Sequence, residues 1–148
     1  MTKAIRGISA GFAATIVLSV IMVAKSMMGL MPELNVIEML SAMLQSAPAL
    51  AWLAHFMIGI LAWGVGFVLL SRALPGKTNL AKGVSFGIAA WVVMMIVVMP
   101  MTGAGYFGLN IGMRAPAMTL MLHLIYGAVL GFVYGNLGCS RCDARANR

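Results

Sequence analysis

The chain has 148 residues, 62% of them hydrophobic and only 9% charged, with a net charge of +7 and a mean hydropathy of +1.01. A soluble domain usually carries about 25% charged residues, so this composition excludes an ordinary soluble enzyme or binding domain. It points instead to an all-α polytopic membrane protein. The basic residues gather at the ends and in the middle loop, where they orient a chain in a bilayer, so no nucleic-acid partner is expected.

Lys3 and Arg6 open the chain and an apolar run follows over residues 8–24. A basic start before an apolar run also suits a signal peptide. Residues 6–23, however, overlay residues 82–99 at an offset of 76, matching Gly7 with Gly83, Ser9 with Ser85, Gly11 with Gly87 and Ala14 with Ala90. A segment duplicated mid-chain reads as a retained span. After it the hydrophobic run breaks at Pro32, and Asn35 followed by Glu38 has the spacing of an N-cap with its capping partner. Ile37, Leu40, Met43 and Leu44 then fall on one face of a short helix. Such a segment is expected to lie in the membrane interface over the bundle mouth. Acting as a lid over a site is the sharper reading of the same pattern.

The second span is predicted over 48–70, with Pro48 in the first turn. A loop carrying Arg72, Pro75, Gly76 and Lys77 leads to a third span over 80–102, and the glycine-rich stretch 103–112 to a fourth over 115–137. Residues 1–137 thus form one four-helix transmembrane domain, and 138–148 a tail. Lys3, Arg6, Arg72, Lys77, Lys82, Arg141, Arg145 and Arg148 share one side of this arrangement. The positive-inside rule puts that side, both termini and the tail in the cytoplasm of a bacterial inner membrane. Lys25 is the exception, and is expected to snorkel to the opposite interface.

The stretch 48–67, PALAWLAHFMIGILAWGVGF, overlays 116–135, PAMTLMLHLIYGAVLGFVYG, at an offset of 68. His55 falls on His123 and Gly59 on Gly127, so the only two histidines are predicted to be equivalent. Repeat 1 covers about 4–72 and repeat 2 about 80–137. Two spans per repeat give parallel repeats about an axis along the membrane normal. Each histidine is then expected at the same depth, about 10 Å below the helix start at 1.5 Å per residue.

The run MPMTGAGYFGLN followed by APAMTLMLHLIYGAVLGFVYG resembles a family of small four-span bacterial inner-membrane proteins described only as a domain of unknown function. KSMMGLMPELNVIEML and HFMIGILAWG in the first half are similar to the same family. The resemblance covers most of the chain except the tail. It implies the four-span fold and carries no activity.

Ionisable residues inside a span are costly and are functional candidates by default. His55 and His123, facing each other, are expected to bind one centre, with Gly59 and Gly127 removing side chains one turn on. Two imidazoles suit haem b as an axial pair, or copper. Met99 and Met101 beside Pro100 are the weaker candidate ligands for a copper site. The same histidines also suit a cofactor-free bundle in which each makes a hydrogen bond to a neighbouring helix. Three functional classes follow: a haem- or metal-binding protein, as in a subunit of a redox complex; an accessory or scaffold subunit of a larger membrane complex or homo-oligomer, without cofactor; and a small carrier or channel. Beyond these partners only the lipid bilayer is expected. Cys139 and Cys142 supply half a tetrahedral zinc site. No catalytic constellation appears, so the chain is not expected to be an enzyme.

Overall fold

The structure, a computed structural model, describes residues 2–146, with side chains through Gly138. Cys139 and Cys142, with the candidate tail site, lie outside the described side chains. Among the described residues the chain is all-α, with five helices, of which four are long and apolar enough to cross a membrane. We name them α1 (Lys3–Met27), α2 (Val36–Leu44), α3 (Pro48–Leu70), α4 (Asn79–Met101) and α5 (Ala115–Ala146). Of these, α2 is too short to span. Large apolar side chains such as Val20, Leu53, Leu69, Met121 and Phe132 point outward on the four long helices. That exterior matches hydrocarbon and not water, and the protein is a multi-pass membrane protein.

Local sequence sets the helix starts. Thr2 Oγ1 accepts from Ile5 N at 3.3 Å, and Thr78 Oγ1 accepts from Ala81 N at 3.1 Å. Asn35 Oδ1 accepts from Ile37 N at 3.1 Å while its Nδ2 donates to Glu38 Oε1 at 2.8 Å, as the Asn35–Glu38 spacing predicts. Inside the spans, Thr15, Ser19 and Thr119 donate to the carbonyls four residues back (Gly11 2.7 Å, Thr15 2.8 Å, Ala115 2.8 Å), so these three hydroxyls are not left bare in hydrocarbon.

The helices pair by close backbone approach. A Cβ on Gly7 would lie 2.6 Å from the Gly64 carbonyl oxygen, and one on Gly11 would lie 3.0 Å from Gly64 Cα. In the other hairpin a Cβ on Gly83 would run into the Gly127 carbonyl, and one on Gly87 would lie 3.4 Å from Gly127 Cα. These are glycine crossings of the small-xxx-small kind, by which spans associate without a hydrophobic drive.

The crossings fix a register that differs from the sequence overlay. Gly64, not Gly59, does in the first hairpin what Gly127 does in the second. His123 lies four residues before its crossing glycine, whereas His55 lies nine before. A π-helical segment, Ile58–Trp63, absorbs one of the extra residues in α3. The remaining four place His55 about one turn, roughly 6 Å, further from its crossing glycine than His123 is from its own.

Helices α1 and α5 also pack on each other, whereas α3 and α4 make almost no close backbone contact. Aromatic rings bridge α3 and α4 toward the end with the termini: Phe86 meets Trp63 and Phe67 edge-on, with centroids 5.8 and 5.6 Å apart. Phe67 in turn meets Tyr134 at 5.2 Å. Arg6 stacks over the Tyr134 ring at 4.3 Å and donates from Nη2 to the Tyr134 carbonyl at 2.6 Å.

At the opposite end Lys25 is buried, and does not snorkel. Its Nζ donates to the carbonyls of Leu30 (3.0 Å), Met31 (3.0 Å) and Leu34 (2.9 Å). Those carbonyls close a loop around the end of α1, so the ammonium finds oxygen without reaching water. The loop 103–112 is held by Asn110, whose N donates to Ala104 O at 3.0 Å and whose Nδ2 donates to Gly103 O at 3.1 Å.

Candidate functional site

The four spans line a partly open chamber of about 170 Å³. Its walls come from α1 (Thr15, Leu18, Met22), α3 (His55, Ile58, Gly59, Trp63), α4 (Ala90, Val93, Met94, Val98) and α5 (Thr119, Leu122, His123, Tyr126). Leu34, Val36 and Leu40 roof it. The amphipathic segment read as a cover for the bundle mouth is therefore the roof of a chamber. Its burial is narrower than the predicted four-residue face: Ile37 is buried against Met22 and Ala51, while Met43 and Leu44 stay exposed.

Both histidines line this one chamber. Gly59 lines it too, under Thr15, whose side chain occupies the space a Cβ there would need. Gly127 does not line it, being spent on the crossing with Gly83. The methionines also divide differently from the sequence reading. Met99 is fully buried in a separate cluster with Leu34, Met95, Ala104 and Ala115, and Met101 is 68% exposed. Neither lines the chamber, whereas Met22 and Met94 do. The sequence held no signal for this, because α4 passes into a π segment at Met94–Val98 that turns the following residues out of α-helical phase.

Hydrogen bonds fix which ring nitrogen of each histidine is free. His123 Nδ1 lies 2.8 Å from the Thr119 carbonyl. A carbonyl only accepts, so Nδ1 carries the proton and Nε2 is a bare lone pair. His55 Nε2 lies 3.2 Å from Ser19 Oγ, which donates its own proton to Thr15 O at the shorter distance of 2.8 Å. Ser19 must then accept from Nε2–H, which leaves His55 Nδ1 bare. The ring carries the opposite tautomer to His123. Each imidazole thus has one nitrogen tied to a helix and one acceptor nitrogen without a hydrogen-bond partner among the described residues.

The π segment of α3 is held from across the chamber. Tyr126 Oη donates to the Gly59 carbonyl at 2.6 Å, taking up an acceptor in the segment where the α-helical ladder is interrupted. A second, more polar cavity of about 110 Å³ lies beside Lys25, Asn35 and Glu38, and shares Met22, Leu34, Val36 and Leu122 with the chamber.

No group of three His, Cys, Asp or Glu side chains close enough to share a metal occurs among the described residues. No curated protein and no solved structure matches the chain. A family model does match, over residues 1–143, which include both histidines and the motifs that carry the resemblance. The chain belongs to that family, DUF6789, a family of unknown function.

Proposed function

We propose that the protein is an intramembrane binding protein that holds one small, mainly apolar molecule between His55 and His123. The observation that carries this is the chamber itself, lined by all four spans, with both of the chain's histidines on its wall. An apolar cavity of about 150 Å³ is dry and takes a benzene-sized guest, and this one measures about 170 Å³. Cofactor pockets run to about 300–1,000 Å³. The chamber therefore fits a group smaller than a haem, and no haem chemistry is derived from it.

A copper(I) ion is the second reading. Two bare ring nitrogens whose partner N–H groups are fixed by hydrogen bonds are what a metal-ligating histidine pair requires. The thioethers of Met22 and Met94 on the same wall suit a soft ion. The matching glycine crossings support a duplicated two-helix origin for the two hairpins, with the histidines arising separately within them. The clustering of Lys and Arg supports a bacterial inner-membrane protein with both termini cytoplasmic.

The test is saturable binding. In nanodiscs, fluorobenzene followed by 19F NMR should bind the protein beyond its partition into protein-free discs. Ala90→Leu, which fills the chamber from a residue 4% exposed, should remove that binding while leaving the fold intact. Absence of saturable binding by the parent protein would overturn the proposal. Copper(I) loading distinguishes the second reading, which expects one equivalent per chain, lost in either His55→Ala or His123→Ala.

A further inference from the structure

On the chamber wall each histidine keeps one acceptor nitrogen without a hydrogen-bond partner among the described residues. The hydroxyls of Thr15 and Thr119 are committed to helix carbonyls at 2.7 and 2.8 Å, and Tyr126 Oη to Gly59 O at 2.6 Å. A guest that offers only acceptors leaves both imidazoles unpaired in an apolar cavity, while a guest that offers a hydroxyl satisfies one or both. An unmet partner in such a site is what separates hydroxyl compounds from their alkylated analogues.

The chamber also has a side that faces lipid. Ile58 on α3 and Val93 on α4 both line it, yet they are 40% and 48% exposed on the outer surface. The two helices carrying them make almost no close backbone contact, and the aromatic bridge between them lies further toward the termini, at Trp63, Phe67 and Phe86. At the level of Ile58 and Val93 the wall is therefore one side chain thick. The roof, by contrast, is tied down by Lys25 through the Leu34 carbonyl at 2.9 Å.

Resting on the chamber reading above, we infer that the natural guest is a lipid-dissolved phenol- or quinol-like hydroxyl compound, which enters from the bilayer between α3 and α4 at Ile58 and Val93 and gives its hydroxyl proton to a histidine nitrogen in a hydrogen bond. No covalent or redox step is implied.

The experiment compares 4-fluorophenol, 4-fluoroanisole and fluorobenzene by 19F NMR in nanodiscs, each referred to its partition into protein-free discs. We expect 4-fluorophenol to bind about tenfold more tightly than the other two, the value of one neutral hydrogen bond. His55→Phe and His123→Phe should reduce that ratio, and the double variant should bring it close to one. Val93→Trp should slow probe exchange several-fold. Equal binding of all three probes would overturn the donor assignment and leave the chamber reading standing. Binding of none would overturn both. Exchange slowed by Leu34→Trp but not by Val93→Trp would move the entrance to the roof and overturn the lateral route.

Discussion

Gly83→Leu is expected to prevent correct packing of the second hairpin, with the largest loss of stability of any single substitution considered. The Cβ alone would collide with the Gly127 carbonyl and approach Gly131 Cα to 2.7 Å, and both obstacles are backbone. A flexible side chain in the way could rotate aside, but a helix backbone can only be pushed back along its whole length. Ordinary overpacking costs about 1–3 kcal/mol, and separating α4 from α5 should exceed the upper end of that range. Because Gly87 packs on the same stretch of α5, retreat at Gly83 also opens the approach to His123, whose carbonyl faces Gly87. Gly66→Ala is the control, since a Cβ there meets only the Phe86 ring edge at 3.7 Å, an ordinary contact. Thermal unfolding in detergent should show Gly83→Leu folded poorly or not at all and Gly66→Ala close to the parent. A parent-like Gly83→Leu would mean the crossing is looser than described.

Lys25→Met is the second large effect. The ammonium holds three carbonyls, each charge-assisted bond worth about 1.5–3 kcal/mol before the cost of burying the charge is set against it. Removing it leaves the carbonyls of Leu30, Met31 and Leu34 without that donor beneath the roof, so a net loss of about 2–4 kcal/mol follows. The loss should be local. Amide exchange should rise in 29–44, where Leu34 and α2 cover the chamber, and little in the glycine crossings at the other end. Unchanged exchange in 29–44 would show that the lysine reaches water and that the roof is held by its apolar contacts alone.

Much of the architecture was legible because it is local or compositional. Four apolar runs gave four spans, Asn35 and Glu38 gave the start of α2, and the Gly7/Gly83 and Gly11/Gly87 matches marked residues that do cross the neighbouring helix. That the histidines stand at unequal distances from their crossing glycines was not legible, because the overlay at an offset of 68 counted residues and the chain counts turns. A π segment admits an extra residue with no composition to announce it, and the bundle matches Gly64, not Gly59, to Gly127. The fate of Lys25 escaped for a different reason. A lysine near a span end has two outlets, interfacial water or a ring of carbonyls, and only the path of residues 30–34 decides between them. Met99 and Met101 were chosen for depth, but which wall a methionine faces depends on helix phase, and the π segment before them changes it.

The central claim is that His55 and His123 present two free nitrogens to a single occupant, and histidine 15N NMR in nanodiscs tests it most directly. Without probe, the account predicts opposite tautomers, with Nε2–H on His55 bonded to Ser19 and Nδ1–H on His123 bonded to Thr119. On titration with 4-fluorophenol, the bare nitrogen of each ring should shift with one shared midpoint, and Ala90→Leu should abolish both shifts. Identical tautomers, or shifts with separate midpoints that survive Ala90→Leu, would contradict it.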